Sequence, residues 1–316
     1  MFTTMLVPLD GSPLSERALP IAAGLAQATG AQLILMRAAW AHTTLGVDPR
    51  RGEVAALDEA EHSLRAIATR LSEQGVHVHT AVCGAPPVEG ILREVDNHQA
   101  DLVIMCTHGR SGLGRWIYGS VAEEVLARIT VPVLLVRPVG PVASLTSRPR
   151  LLVPLDGSPF AEVALPHAAA LAQAFHGSLC LIRVESEGPS VMLISAWSGA
   201  YMTEEAVDVM QQSMKAQEAE AKRYLGAVRE SLRKQDPNLA DVQTVVRVGW
   251  PNAAVADVIV EEGEARAVSL IVMSTHGRTG IRRALLGSVA TGVLHGTRAP
   301  VLLVPPHAPQ QRNNGY

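Results

Sequence analysis

Apolar and polar positions along the chain form a pattern that predicts short strands alternating with longer helices. In the first half, apolar runs occur at 5–9, 31–37, 76–84, 100–106 and 131–138, with helical patterns near 15–28, 57–74, 88–98 and 119–129. Because these runs are mostly continuous in Val, Ile and Leu, the strands are expected to be buried on both faces. The pattern predicts an α/β fold: an open, Rossmann-like sheet of five parallel strands with helices on both faces.

The whole pattern occurs twice in the chain. The segment MLVPLDGSPLSERALP has a near-copy in LLVPLDGSPFAEVALP, and CTHGRSGLGRWIYGSVA has one in STHGRTGIRRALLGSVA. The copies are 146 residues apart at Asp10 and Asp156 and 168 residues apart at Gly109 and Gly277, so the second copy carries an insertion. Solenoid and propeller repeats have periods of only ~20–50 residues. A repeat this long predicts two tandem domains.

Composition shifts suggest where these domains begin and end. We expect domain one at 1–138, a Pro- and Ser-rich linker at 139–149, domain two at 150–305 and a disordered tail at 306–316. The insertion, at about 185–235, holds an apolar stretch at 188–202 and a helical pattern at 203–234 with one apolar stripe. Two interpretations of that stripe stay open: packing onto domain two, or a surface for a partner or an oligomer.

Net charge and composition limit the classes of binding partner that we expect. A net charge of −3 gives no reason to expect nucleic acid or an anionic membrane, and 3% aromatic residues are few for a base-stacking surface. The three cysteines form no C-x-x-C pair, which fits a reducing compartment, and no apolar run approaches a membrane span. We expect a soluble, cytoplasmic protein. No metal site is predicted, because His77 and His79 lack a third ligand nearby.

The two repeated motifs follow strands one and four, whose carboxyl ends meet where ligands bind to open α/β sheets. Gly109 and Gly277 allow a ligand to approach the main chain. Gly119-Ser120 and Gly287-Ser288 begin the next helix, where N–H groups and the helix dipole hold phosphate oxygens. The sequence therefore predicts phosphate binding, while turn-forming glycines and N-cap serines are the structural alternative.

Charged residues beside these glycines extend the same prediction. Asp10 and Asp156 are placed to accept hydrogen bonds from a nucleoside or to cap the first helix. Between the glycine and the GS pair, arginines that would screen a polyphosphate stand at Arg110, Arg115, Arg278, Arg282 and Arg283. No Walker lysine and no nucleophile elbow accompanies them, so the chemistry of P-loop hydrolases and of α/β-hydrolases is excluded.

Taken together, LVPLDGS, THGR, GSVA and the closing PVLLV resemble the universal stress protein family, in a tandem two-domain form. The resemblance covers nearly the whole chain and implies an adenine nucleotide alpha hydrolase-like fold that binds ATP with Mg²⁺. The family's motif G-x2-G-x9-G-[S/T] keeps its last three elements in both copies. Cys106 and Ser274 stand in place of its first glycine.

The resemblance also assigns positions to the nucleotide. Ala38 and Val184 would contact adenine through the backbone, and Val121 and Val289 would donate N–H groups beside the phosphates. The ATP-binding positions that it implies are Pro8, Leu9, Asp10, Ala38, Met105, Cys106, Gly109, Arg110, Gly119, Ser120 and Val121 in copy one. In copy two they are Pro154, Leu155, Asp156, Val184, Met273, Ser274, Gly277, Arg278, Gly287, Ser288 and Val289.

We therefore expect an ATP-binding stress-response protein that is not an enzyme, since no general base is apparent. One alternative is a slow ATPase, or a protein that phosphorylates itself on Ser120 or Ser288. Another is a nucleotide-free structural adaptor. The last strands, 133–136 and 301–304, are apolar edges, and the resemblance implies that they pair. We expect an intrachain pseudo-dimer, with a homodimer left open.

Overall fold

Each repeat folds into strands and helices in the order that its apolar pattern predicts, which confirms the α/β class. The computed structural model describes residues 1–39, 49–107, 119–137, 145, 148–186, 204–239, 241–249, 255–275, 277 and 286–306. Most of the predicted linker and all but the first residue of the predicted tail lie outside these ranges, so the predicted domain boundaries stay predictions. By internal contacts the chain divides into two units, which are described separately below.

Unit one contains the first repeat. Its strands are β1 (Thr4–Pro8), β2 (Gln32–Ala38), β3 (Val78–Cys83), β4 (Leu102–Cys106) and β5 (Val133–Val136). Its helices are α1 (Leu19–Thr29), α2 (Pro49–Ser72), α3 (Pro87–Asn97) and α4 (Ser120–Arg128). The five strands are parallel in the order β3-β2-β1-β4-β5. Strand order reverses on either side of β1, which makes its carboxyl end the switch point of the sheet.

Unit two contains most of the second repeat. Its strands are β6 (Arg150–Pro154), β7 (Ser178–Ser186), β8 (Val242–Gly249) and β9 (Leu270–Ser274), parallel in the order β9-β6-β7-β8. Its helices are α5 (Pro159–Glu162), α6 (Ala164–Ala174), α7 (Glu204–Gln235), α8 (Val255–Ala265) and α9 (Ser288–Gly296). The last strand, β10 (Val301–Val304), clusters with unit one, where it pairs antiparallel with β5. The intrachain pseudo-dimer stays a prediction.

Two helix starts differ from the sequence pattern, and proline explains both. A single 3-10 turn, Ser15–Ala18, precedes α1, which begins only at Leu19. Pro20 lacks the N–H that would donate an α-helical hydrogen bond to the preceding turn. The regular helix therefore begins with Pro20 in its first turn, at Leu19. Helix α2 begins at Pro49 instead of near residue 57, with proline at its first position.

Helix α7 falls within the predicted insertion but holds the same place as α2, between the second and third strands of its unit, and it packs on β7 and β8. Ala221, Leu225 and Leu232 on its predicted apolar stripe are buried, which favours packing onto unit two over a partner surface for this part of the helix. The apolar stretch at 188–202 lies outside the described residues. No helix in the described part of the chain has both the length and the apolar character needed to cross a bilayer.

Tyr224 connects helix α7 to the elements beneath it. Its hydroxyl donates a hydrogen bond of 2.8 Å to Glu162 Oε1 on α5. Its ring lies under the Arg183 guanidinium of β7, with 5.1 Å from Cζ to the ring centroid. Burial, followed by the hydrogen bond to Glu162, raises the pKa of Tyr224 above its usual range. The hydroxyl therefore stays neutral in the folded protein to a higher pH than in the unfolded chain.

We expect Gly292→Ala to destabilise the fold by about 1–3 kcal/mol, because overpacking carries that cost. A Cβ at Gly292 on α9 would lie 2.5 Å from Ala256 Cβ on α8. The matched control is Gly226→Ala on α7, where nothing lies within 4 Å of the added Cβ. The control is expected to gain roughly 0.5–1 kcal/mol from helix propensity. Urea unfolding measures both, and equal midpoints for the two variants would contradict the packing described.

We expect Tyr224→Phe to cost about 1 kcal/mol at pH 7, since one hydrogen bond to Glu162 is lost. The folded pKa of Tyr224 is raised, so wild-type stability from this group is present below the unfolded value of about 10 and is lost as pH rises above it. The variant has no hydroxyl to ionise, so the stability gap should narrow above about pH 10. Urea unfolding from pH 7 to 11 measures it, and a constant gap would refute the assignment.

Candidate functional site

In each unit a cavity lies at the carboxyl ends of the parallel strands, at the predicted switch point. The cavity of unit one, here cavity one, has a volume of about 270 Å³ and is bounded by β1, β2, β4, α3 and α4. Cavity two, in unit two, has about 290 Å³ and is bounded by the equivalent β6, β7, β9, α8 and α9. Both volumes are close to the lower end of small-molecule sites, which run from about 300 to 1,000 Å³.

The structure brings together every described residue that the sequence assigned to these sites. In cavity one the predicted residues in the wall are Pro8, Leu9, Asp10, Ala38, Met105, Cys106, Gly119, Ser120 and Val121. In cavity two they are Pro154, Leu155, Asp156, Val184, Met273, Ser274, Gly277, Gly287, Ser288 and Val289. Gly109, Arg110 and Arg278 lie outside the described residues, as do Arg115, Arg282 and Arg283.

The conserved geometry of the two Asp-Gly turns comes from side-chain to backbone hydrogen bonds. Asp10 Oδ1 accepts from the Ser12 N–H at 2.8 Å, and Asp156 Oδ1 accepts from the Ser158 N–H at 2.9 Å. In copy two the Ser158 hydroxyl also donates to Asp156 Oδ1, at 2.6 Å. The aspartates thus form Asx turns. They do not cap a helix themselves: Ser158 is the N-cap of α5, and in copy one Leu14 and Ala18 precede the 3-10 turn and α1.

A buried arginine lies beneath each of these turns and explains the glycine. Gly11 and Gly157 have φ of +78° and +84°, a region that favours glycine. A Cβ at Gly11 would lie 2.9 Å from the Arg37 guanidinium, and one at Gly157 would lie 3.2 Å from Arg183 Nη1. The backbone conformation therefore favours glycine at both positions, and a Cβ would in addition require the guanidinium to shift, more at Gly11 than at Gly157.

A side chain of the protein lies close to Gly277, while the approach of a ligand to this glycine stays a prediction. A Cβ at Gly277 would lie 2.5 Å from Asp156 Oδ2, so the carboxylate of the first motif approaches the glycine of the second. The close approach at this glycine is made by a side chain of the protein. The two motifs of copy two are thus in direct contact, 121 residues apart in sequence.

Glycine, and not serine, is the N-cap of the helix at each cavity. Gly119 precedes α4 and Gly287 precedes α9, and neither helix has a side-chain cap, so the N-cap interpretation of Ser120 and Ser288 is wrong. The Gly119 N–H donates to Thr107 O and the Gly287 N–H to Thr275 O, each at 2.8 Å. The next three N–H groups have no partner within their own helix and carry the positive end of its dipole.

The opposite end of each cavity is a projecting strand end. The last pair of β7 with β6 is Ile182 with Pro154, whereas β7 pairs with β8 as far as Ser186. Leu155 N–H donates to Ile182 O at 2.8 Å, so, by strand alternation, the N–H and C=O of Val184 face the cavity side. Ala38 has the same orientation in cavity one, where Leu9 N–H donates to Met36 O.

Several wall residues were not predicted from the sequence. Thr107 and Thr275 were read only as part of the THGR motif, and Ile91 and Ile259 only as apolar helix positions. Glu185 was also missed. It lies in the wall of cavity two beside Val184, on the projecting end of β7, and its counterpart in copy one is Ala39. A residue-by-residue comparison of the two copies at this strand end would have revealed it.

Metal ligands do not cluster in the described ranges, where no group of three His, Cys, Asp or Glu side chains could hold an ion. Each cavity wall is largely apolar, with one aspartate near its centre and the N-terminus of a helix at one end. This arrangement can hold an anionic group at the helix and a flat polar edge at the projecting strand.

The chain is similar in sequence and in fold to several known proteins. A universal stress protein of Mycobacterium tuberculosis is 28% identical over 239 residues, covering 73% of this chain and 70% of that protein. One from Thermus aquaticus is 36% identical over 142 residues, covering 43% of this chain and all of the relative. The solved structure of a universal stress protein from Archaeoglobus fulgidus has a TM-score of 0.64 at 22% identity, covering 96% of each chain.

The family model of the universal stress proteins matches residues 1–137 and again residues 148–305. These two matches span nearly all of the chain and coincide with the two copies of the motifs. They also include the wall residues of both cavities. The chain therefore belongs to the universal stress protein family, with two copies of the family domain in tandem.

Proposed function

We propose that this protein is a cytoplasmic ATP-binding stress-response protein that binds one nucleotide in each cavity and signals without catalysing a reaction. The observation that carries the proposal is the duplicated cavity itself. In both copies a helix N-terminus without a side-chain cap lies at one end and a projecting strand end lies at the other. Anion binding at the first and hydrogen bonding to a flat base at the second fit a nucleotide.

The dimensions of the sheet support this placement. In each unit the strand leading to the helix and the projecting strand are separated by one central strand. Neighbouring strands are about 4.8 Å apart, so the two ends of the cavity are roughly 10 Å apart across the sheet. A nucleotide has its phosphates and its base at opposite ends of a ribose. Phosphates at Gly119 or Gly287 therefore place the base at Ala38 or Val184.

Hydrogen-bonding groups at the strand end suit adenine. One residue offers a backbone N–H and C=O side by side, and adenine presents an acceptor, N1, beside a donor, the 6-amino group. Ala38 and Val184 could pair with this edge in the same way. Apolar wall residues on the helices that pack against the projecting strands, Ile91 of α3 and Ile259 of α8, would cover the faces of the ring.

Magnesium fits this site only as part of the ligand. Mg²⁺ in nucleotide sites is held by phosphates together with one or two carboxylates. Each cavity contributes one aspartate, and Asp156 already accepts hydrogen bonds from Ser158. The ion would therefore arrive with ATP and screen the phosphate charge.

We expect each chain to bind two ATP molecules. The dissociation constants should be in the micromolar range, which corresponds to a binding free energy of roughly −8 kcal/mol. Ala38→Trp should fill cavity one and Val184→Trp cavity two, so that each variant binds one ATP. The control is Val54→Trp, since Val54 is 58% exposed and lies outside both walls. Calorimetry measures stoichiometry. If both tryptophan variants still bind two ATP molecules, the cavities are not the ATP sites. Turnover of ATP near ~10 per second would contradict the proposal that the protein is not an enzyme.

We expect bound ATP to slow the alkylation of Cys106, because this thiol lies in the wall of cavity one. Ser274 occupies the equivalent place in cavity two, so alkylated protein should keep one ATP site. Cys83 and Cys180 are buried outside both walls and serve as internal controls. Peptide mass analysis with and without ATP gives the rates. Equal rates at Cys106 would argue against a ligand in this cavity.

A further inference from the structure

The two cavities differ in charge at the end where the base would lie. Glu185 lies in the wall of cavity two, on the projecting end of β7, and its side chain is only 12% exposed. The equivalent residue in copy one, Ala39, has no polar group in its side chain and is itself buried. A base of the same kind would therefore meet a carboxylate in one cavity and a methyl group in the other.

A buried arginine holds this carboxylate in place. Arg183 Nε lies 2.6 Å from Glu185 Oε1, and the arginine side chain is only 8% exposed. The contact is an ion pair and not an aligned hydrogen bond, since Arg183 Nε has no hydrogen-bond partner of acceptable geometry. Glu185 thus has a neutralising charge beside it and keeps lone pairs to accept a hydrogen bond from a ligand.

The helix packed beside each arginine explains why Arg183 uses this partner. In copy one, Arg37 Nη2 pairs at 3.1 Å with Glu59 of helix α2, whose side chain is 74% exposed and away from cavity one. In copy two, α7 of the insertion presents the Tyr224 ring to Arg183 instead of a carboxylate. A buried guanidinium needs an anionic partner to offset its desolvation, and Glu185 supplies it from the strand itself.

We propose, on the basis of the nucleotide binding proposed above, that Glu185 makes cavity two selective for bases that carry an exocyclic amino group. An N–H donor at the end of the base edge pairs with the carboxylate, whereas a base without that amine leaves a buried charge without a hydrogen bond. Arg183 and Tyr224 act as positioning residues. Cavity one, with Ala39, lacks this selectivity.

Both common purines carry such an amine, adenine at C6 and guanine at C2. Two ligand pairs therefore show which position meets Glu185. ATP is compared with purine riboside triphosphate, which lacks the 6-amino group, and GTP is compared with ITP, which lacks the 2-amino group. The selectivity of a cavity is the ratio of dissociation constants within a pair.

The experiment uses full-length protein with one cavity filled, so that calorimetry reports on the other. In Ala38→Trp protein, only cavity two binds, and removing the amine should weaken binding about tenfold or more in one of the two pairs, as expected for a hydrogen bond to a charged group. When Glu185→Ala is added to this protein, the ratio of dissociation constants in cavity two should fall to within about twofold of the ratio in cavity one. In Val184→Trp protein, Ala39→Glu should raise the ratio of cavity one.

Glu185→Gln guards against misfolding of the alanine variant, because it keeps the shape of the side chain and removes its charge. Its ratio should fall between those of wild type and Glu185→Ala. If Glu185→Ala and Glu185→Gln both leave the ratio of cavity two unchanged while ATP still binds, the selectivity is refuted and the proposed function stands. If no nucleotide binds to unmodified protein, the proposed function fails and this inference fails with it.

Discussion

A buried guanidinium beneath each Asp-Gly turn constrains the architecture of both sites. A Cβ would lie 2.9 Å from the Arg37 guanidinium at Gly11 and 3.2 Å from Arg183 Nη1 at Gly157. Each arginine thus packs closely against the positive-φ glycine of the Asx turn that presents the aspartate to the cavity. Desolvating an arginine costs several kcal/mol unless a carboxylate lies beside it. The source of that carboxylate is where the two copies diverge.

The requirement for a counter-charge links the helix outside the sheet to the cavity inside it. In copy one the helix α2 supplies Glu59, and the end of β2 is free to be apolar. In copy two the longer helix α7 supplies an aromatic ring, and a glutamate appears at the end of β7. The replacement of a carboxylate by an aromatic ring on the outer helix is therefore accompanied by a new carboxylate, Glu185, in the cavity wall. Neither substitution is explained when it is considered alone.

Much of this could be predicted from the sequence, because the motifs that build the cavities are local and duplicated. Apolar runs determine the strands, and parallel strands bring their carboxyl ends together, so every described residue assigned to the sites lies in a cavity wall. What escaped prediction depends on tertiary contacts. The contact of Asp156 with Gly277 joins two motifs that are far apart in sequence. The role of Glu185 likewise depends on Arg183 Nε lying 2.6 Å from its carboxylate.

The contact between α8 and α9 shows that the copies have ceased to be interchangeable. Gly292 has no room for a side chain because Ala256 lies against it, whereas the equivalent position of α4 is Glu124, which pairs with Arg128 at 3.0 Å. Gene conversion that carried the α4 sequence into the second copy would force a carboxylate against Ala256. Exchange between the copies is therefore penalised even where their motifs are identical.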